Sequence, residues 1–361
     1  MIRFAHIDHL RLGTPLAGLA DCPEWLRRSA ADATRSAVAR LIQSVITHDC
    51  DFLLIAGRLV EPDALSAGVV PWLSQQLNTL DRRGIQVLVC DQSSENRALS
   101  RLSNVTLFQR QDWIAARREP SGKVQFCHAT PDRHSLGIRV DHAQNTVTDS
   151  ALSYVAVPSL KSQKDLAAAS HSLIQTATAG CPQAVSPDES GVFGMRLVEA
   201  DPVAREWQSR FVATDSLGFR QYRVSVSGCE NADEVAAKVL ADLDRSDVAR
   251  GRTLVVDIEA TDMAWDCFLS SECAEHHLLS RLRHDCRFGH AGVWPRTFTA
   301  VPVCSDVPQF QNCDLRNALR ETVLSVSSES VDSLGSDFAV DRAADTRRRM
   351  QAAAEFLSLR P

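Results

Sequence analysis

Three stretches of this sequence place polar residues that could do chemistry directly after an apolar run. Residues 6–13 read His-Ile-Asp-His-Leu-Arg-Leu-Gly, residues 56–59 read Ala-Gly-Arg-Leu, and residues 90–94 read Cys-Asp-Gln-Ser-Ser. Imidazole and carboxylate groups bind divalent metal ions, whereas guanidinium groups bind phosphate. Because ligands gather at the carboxyl ends of the strands in an α/β sheet, we expect the three stretches to form one site.

A second group of metal-ligand residue types lies closer to the C-terminus. Its members are Cys267, Cys273, His276, His277, His284, Cys286 and His290. Zinc favours thiolate and imidazole ligands, and Cys273 and His277 would share one face of a helix. The group has no C-x-x-C pair and matches no closed zinc module, so two interpretations stay open. Either zinc is held by Cys267, Cys273, His277 and Cys286, or the thiols are buried and the histidines lie at the surface.

The strands and helices predicted around the first group, residues 6–13, 56–59 and 90–94, must position its side chains. Residues 2–7, 52–56 and 85–90 are typical of strands, the second run being continuously apolar as in a buried parallel strand. Residues 30–47 and 69–81 carry apolar side chains at helical spacing. Strand, helix, strand, helix, strand with short connections predicts an α/β sheet with crossover helices.

Shorter elements follow along the chain. We predict strands at residues 105–108, 123–127, 136–140, 154–157 and 194–200. A smaller α/β unit is predicted from the order strand, helix, strand, helix at residues 220–227, 232–243, 253–259 and 272–283. A Ser-rich linker and a last helix are predicted at residues 325–336 and 341–359. The predicted domains are residues 1–215, 216–324 and 325–361.

Composition excludes several classes of protein. The 361 residues carry a formal net charge of −6, which argues against a generally basic protein that coats nucleic acid. No apolar run approaches the length of about 18 residues that a membrane span needs, and the N-terminal residues read as a strand, not as an export signal. The 11 cysteines lack paired spacing, which favours reduced thiols in a cytoplasm.

Four motifs occur in order along the chain. They are residues 6–13, residues 51–59 (Asp-Phe-Leu-Leu-Ile-Ala-Gly-Arg-Leu), residues 180–183 (Gly-Cys-Pro-Gln), and Glu189 with Gly191 and Gly194. They resemble H-x-[SA]-D-L-H-L-G, D-F-L-L-I-A-G-D-L-F, G-S-P-Q and E-x-G-x-x-G of the calcineurin-like metallophosphoesterases, in the SbcD/YhaO-type branch of DNA-repair exonuclease subunits. Each motif is short, but together they span roughly residues 1–260.

This resemblance implies a fold and a chemistry. The fold is a four-layer α/β sandwich, in which two mixed sheets are flanked by helices, with a smaller C-terminal α/β capping domain. The chemistry is hydrolysis of a phosphoester by two metal ions, typically manganese, which are held about 3.5–4 Å apart, activate a water and stabilise the leaving oxygen.

Placed on the family's motifs, the metal-ligand positions of this chain carry other residue types. They fall on His9, Arg11, Arg58, Gln92, Ser93, Val140, Ser159 and Lys161. Arg11 and Arg58 cannot ligate a cation, because guanidinium has no free lone pair and stays protonated. We therefore expect that the di-metal centre is lost, that no catalytic residue remains and that no cofactor is bound.

The leading prediction is a non-catalytic relative of these exonuclease subunits that acts as a binding or regulatory subunit. The resemblance implies as partner an SMC-like or AAA-type ATPase subunit, an active paralogue or DNA, and no membrane. One alternative is a residual or repurposed manganese-dependent phosphodiesterase or exonuclease that uses Asp8, His9, Asp91 and His142. A second is a zinc-stabilised structural module.

The two arginines at the strand ends also have two interpretations. Arg11 and Arg58 could replace the metals and bind phosphate or a nucleic-acid backbone. Alternatively, each could pair with a nearby carboxylate such as Asp8 or Asp91.

Overall fold

The computed structural model divides the chain into two compact units. The first comprises residues 1–221, 248–256 and 292–294, and the second comprises residues 222–247, 257–291 and 295–361. The structure describes residues 1–60, 68–90, 99, 101–109, 112–132, 134–141, 152–158, 174–245, 252–264, 267–268, 270–289 and 292–302.

The described elements alternate between strands and helices in the first part of the chain. In chain order they are β1 (Ile2–Ile7), α1 (Glu24–Thr47), β2 (Phe52–Ile55), α2 (Val69–Asp81), β3 (Gln86–Cys90), β4 (Val105–Phe108), β5 (Ile114–Arg118), β6 (Val124–His128), β7 (Leu136–Val140), β8 (Leu152–Ala156), β9 (Ile174–Ala177), β10 (Gly194–Asp201), β11 (Glu206–Ala213), β12 (Leu217–Ser225), α3 (Ala232–Arg245), β13 (Thr253–Met263), α4 (Glu275–Gly289) and β14 (Val293–Pro302).

A mixed six-stranded sheet organises the first unit, in the order β11-β10-β1-β2-β3-β4. The strands from β1 to β4 run parallel, whereas β10 is antiparallel to both β1 and β11. Every residue of β2 is buried, as expected for a strand that is covered on both faces. The parallel arrangement brings the segments after β1 and β2 to the same edge, where the Leu10 N–H donates to the Arg58 carbonyl at 2.9 Å.

Two helices cover one face of this sheet. The buried stripe of α1 includes Ala37, Val38 and Leu41, and α2 contributes Leu73 and Leu77 to the same core. These side chains recur every three or four residues, which places them on one side of a helix. Packing of these stripes against the sheet forms the first of two large cores in this unit.

The opposite face of the six-stranded sheet packs against a five-stranded sheet, in the order β6-β5-β7-β8-β9. Aromatic side chains join the two sheets: the Phe4 ring stacks on Phe52 at 4.7 Å and meets Tyr154 edge-on at 5.0 Å. Phe4 and Phe52 lie opposite each other in the β1–β2 register, so both point into this second core.

The second unit combines two helices with strands of a three-stranded sheet, in the order β12-β13-β14. Helix α4 lies along β14, because Arg283 donates to the carbonyls of Pro295 and Arg296 at 2.9 and 3.0 Å. The Glu275 carboxylate accepts the Ala300 N–H at 2.9 Å. These side-chain contacts to the backbone fix the helix on the strand.

The predicted α/β class is confirmed, with mixed sheets and four helices in the described ranges. Both predicted ends of α2 are correct. Helix α1 begins at Glu24, before the predicted residue 30, because Leu26 extends the buried stripe by one repeat. Strands β5, β9, β11 and β14 were not predicted. The predicted linker and last helix, residues 325–336 and 341–359, lie outside the described residues.

None of the helices that the structure describes is long and apolar enough to cross a lipid bilayer.

Candidate functional site

The carboxyl end of β1 carries a buried histidine and a buried aspartate. His6 and Asp8 are both 0% exposed and lie on the same side of the chain because they are two residues apart in extended backbone. The His6 Nδ1 lies 2.8 Å from the Tyr154 hydroxyl, and Nε2 lies 3.0 Å from Asp8 Oδ1. Burial raises the pKa of Tyr154, so its hydroxyl stays protonated and can donate to His6.

Asp8 fastens β1 to the segment that follows β9. Its Oδ2 accepts the backbone N–H groups of Ala179 and Gly180 at 3.0 and 2.7 Å. The Asp8 N–H in turn donates to the Gly180 carbonyl at 2.9 Å. Through one carboxylate oxygen Asp8 thus ties β1 to the segment after β9, and its other oxygen lies beside the His6 imidazole.

Arg11 is held by Glu189 and not by Asp8, one of the two partners suggested by the sequence; the other, Asp91, lies outside the described residues. Its Nη1 donates to Glu189 Oε1 at 2.6 Å, and Glu189 Oε2 accepts the Val185 N–H at 2.9 Å. The side chains are 10% and 21% exposed, so the ion pair is largely shielded from water. The sequence suggested Asp8 because it is close along the chain, but the fold directs Asp8 to the backbone amides after β9.

The backbone of Arg11 is strained, and a buried thiol lies next to its side chain. Its backbone has φ +52°, a left-handed conformation that costs a residue with a Cβ about 1 kcal/mol. Burial raises the pKa of the neighbouring Cys181 thiol to about 12, against the opposing effect of the Arg11 charge. The Cys181 thiol is therefore protonated at neutral pH.

His9 and Arg58 join the segments after β1 and β2. The Arg58 N–H donates to His9 Nδ1 at 3.1 Å. The imidazole lies so close to Gly57 that a Cβ there would be 2.5 Å from His9 Cε1 and 2.9 Å from the Asp8 carbonyl oxygen. Glycine is therefore required at position 57 for this close approach. A neutral histidine can bind a metal through the lone pair of Nδ1 or of Nε2, depending on its tautomer. In His9 the Nδ1 lone pair already accepts the Arg58 N–H.

The residues at those of the predicted positions that the structure describes do not fit a di-metal centre. At the position where the resemblance implies a metal-binding histidine this chain has Arg11, and where it implies a bridging aspartate the chain has Arg58. Both side chains are cations without a lone pair for a metal. Val140, at the end of β7, is 0% exposed in the core between the two sheets and has no donor atom. Of the eight predicted degenerate positions, Gln92, Ser93, Ser159 and Lys161 lie outside the described residues, as do Asp91 and His142.

The candidate zinc residues of the second unit do not share one environment. Cys267, Cys273 and Cys286 are buried, whereas His277 is exposed. The predicted shared helix face of Cys273 and His277 is wrong, because α4 begins at Glu275 and Cys273 precedes it. Across the described ranges, no three His, Cys, Asp or Glu side chains are grouped closely enough to hold a metal ion.

The thiols of the described residues are unpaired with one another. No disulfide joins two cysteines in this part of the chain, and all of them but Cys127 are buried. In the second unit, Cys267 Sγ donates to the Cys229 carbonyl at 3.5 Å.

A cavity that the sequence did not indicate lies between the loop after β1 and the first half of α1. Its volume is about 980 Å³. Arg27 and Arg35 of α1 line it together with Thr14 of the loop. The sequence signal that could have indicated a loop here was the run of Gly13, Pro15 and Gly18, because glycine and proline interrupt regular structure.

Comparison with known proteins adds no relative: no protein-family model and no curated protein matches this chain.

Proposed function

We propose that this chain is a catalytically silent relative of the SbcD/YhaO-type metallophosphoesterases and acts as a binding or regulatory subunit. One observation carries the proposal. In the segments after β1 and β2, where the resemblance places metal ligands, Arg11 is paired with Glu189 and His9 accepts the Arg58 N–H. The site is thus built as a structural junction.

The layered architecture of the first unit supports the fold part of the proposal. Helices α1 and α2, the six-stranded sheet and the five-stranded sheet form three successive layers. These correspond to three of the four layers of the proposed sandwich. The second unit, with α3 and α4, is proposed to be the smaller capping domain.

The chemistry of the side chains supports the loss of activity. Two-metal hydrolysis needs a bridging carboxylate that keeps both ions together and lowers their mutual repulsion. Arg58 stands at that position, and its permanent positive charge would add repulsion instead. Arg11 adds a second positive charge at a position for a ligand, although Glu189 balances it.

Metal content and hydrolysis test the proposal together. The full chain, purified without chelator, is assayed for bound Mn, Fe and Zn, and then for hydrolysis of bis(p-nitrophenyl) phosphate and of linear duplex DNA with added Mn²⁺. We expect no stoichiometric metal and no Mn²⁺-dependent hydrolysis, because the donor set at the sheet edge lacks the bridging carboxylate.

Two variants separate an intrinsic activity from a contaminant. If Mn²⁺-dependent hydrolysis is present and is lost in both His9→Ala and Arg58→Ala, but not in the surface control Arg28→Ala, the silent interpretation is refuted. The residual-enzyme alternative, with Asp8, His9, Asp91 and His142, would then be preferred. An activity that all variants retain equally does not come from this site and leaves the proposed loss of the di-metal centre in place.

The partner class is proposed from the resemblance alone. It is an SMC-like or AAA-type ATPase subunit, with an active paralogue or DNA as the alternatives. Fluorescence anisotropy with a short labelled duplex distinguishes DNA from a protein partner. A complex that weakens steeply as salt is raised indicates contacts to the phosphate backbone, whereas no binding at low salt favours a protein partner.

A further inference from the structure

The cavity beside α1 carries an inference that does not depend on the proposed function. We propose that it binds a small organic anion with an apolar body, such as a carboxylate or phosphate ester joined to a ring or acyl chain. The cavity is formed within the first unit by the loop after β1, by α1 and by the start of α2. Its volume of about 980 Å³ is at the upper end of the range for small-molecule sites.

The charge of the lining selects for an anion. Arg27 and Arg35 contribute two guanidinium groups, and the described residues that line the cavity include no Asp or Glu. Arg27 is partly neutralised, since its Nη1 lies 3.4 Å from Glu24. Arg35 has no carboxylate partner among the described residues, and its guanidinium lies 6.0 Å above the Trp72 ring. Arg35 is therefore the main candidate for contact with the anionic group.

The remaining lining favours an apolar body. Leu16, Leu19, Ala30 and Val69 supply aliphatic surface around the two arginines. Thr14 also lines the cavity, but its Oγ1 is enclosed by protein atoms and is not available to a ligand.

A pair of fluorescent probes that differ in one charged group tests the proposal. 8-Anilino-1-naphthalenesulfonate carries a sulfonate, and N-phenyl-1-naphthylamine has the same aromatic rings without it. Both are titrated into the native full chain. We expect the anionic probe to bind more tightly, and Arg35→Gln to weaken its binding by about tenfold, because a charge-assisted hydrogen bond is lost. Binding of the neutral probe should be unchanged by Arg35→Gln.

Two further variants make the test specific to this cavity. Ala31→Trp places a large ring among the lining residues and should weaken binding of both probes. Arg28→Gln removes the same charge from the same helix but not from the cavity lining, so it should affect neither probe. If Arg35→Gln does not fold, Arg35→Lys retains the charge and should keep the preference for the anionic probe.

Three results would overturn the inference. The first is equal affinity of the two probes for the native chain, which would show that charge does not contribute. The second is an equal effect of Arg28→Gln and of the Arg35 substitution. The third is unchanged binding in Ala31→Trp, which would place the probes elsewhere on the protein.

Discussion

Replacing Glu189 with alanine tests whether Arg11 is held as a structural residue. The substitution leaves a guanidinium that is only 10% exposed without its carboxylate, and it also removes the acceptor of the Val185 N–H. Breaking a fully buried ion pair costs about 3–5 kcal/mol, whereas an exposed pair contributes about 0–1 kcal/mol. With the Arg11 and Glu189 side chains 10% and 21% exposed, we expect Glu189→Ala to lower the free energy of unfolding by about 3 kcal/mol.

Substitutions of Arg11 separate the ion pair from the backbone strain. Arg11→Ala should lower the free energy of unfolding by about 2 kcal/mol, through loss of the pair. Arg11→Gly should be less harmful by about 1 kcal/mol, because glycine adopts φ +52° without a steric cost. The double variant Arg11→Ala/Glu189→Ala should be more stable than the sum of the single effects predicts, by about 1–3 kcal/mol.

Urea unfolding followed by tryptophan fluorescence and circular dichroism gives these free energies. Since the chain has two compact units, the two signals are compared to show whether unfolding occurs in one step or two. If each single variant changes the stability by less than about 0.5 kcal/mol and the cycle shows no coupling, the structural role is refuted. Arg11 would then be available to bind phosphate, the first of the two interpretations of this arginine from the sequence.

Three further predictions follow from particular contacts. Gly57→Ala should destabilise the chain by about 1–3 kcal/mol in urea unfolding, because the added Cβ would clash with the His9 imidazole. Gly68→Ala is the control and should be nearly neutral, because its Cβ would come no closer than 4.0 Å to the described residues around it. Burial raises the pKa of Asp215, so the contribution of this carboxyl to stability is full below its ordinary pKa of 3.8 and is lost as the pH rises through its raised pKa; a pH series of unfolding midpoints for Asp215→Asn should lack this loss. In native protein, mass spectrometry after brief alkylation should find Cys127 labelled and Cys181 protected, because burial raises the pKa of the Cys181 thiol to about 12. Equal labelling of the two cysteines would contradict the burial of Cys181.

Local sequence patterns predicted the parallel part of the six-stranded sheet and its helices. The runs at β1, β2 and β3 are apolar because those strands are buried, and α2 has an apolar stripe that ends where the chain turns at Gly84. Edge strand β11 was missed, because its exposed residues alternate irregularly with buried ones and leave no clear period of two. A strand that forms mainly because it hydrogen-bonds to a neighbouring strand shows only a weak pattern in its own sequence.

In the candidate site, too, the residue types could be predicted from the sequence, whereas their contacts could not. By residue type alone, the sequence determined that guanidinium groups occupy two positions at the strand ends, since an arginine is charged and lacks a metal-binding lone pair in any fold. Only the tertiary structure decided what those groups contact. Arg11 meets Glu189, which is 178 residues away, and Asp8 meets the Ala179 amide, which is 171 residues away.

The cavity beside α1 was also decided by tertiary structure, because its lining combines a loop and two helices that are separated along the chain. Hydrophobic periodicity reports which face of an element is buried, but not which distant element covers it. The chemical nature of each side chain is therefore determined by the sequence, whereas its partner, its exposure and the space beside it are determined by how the sheets and helices pack.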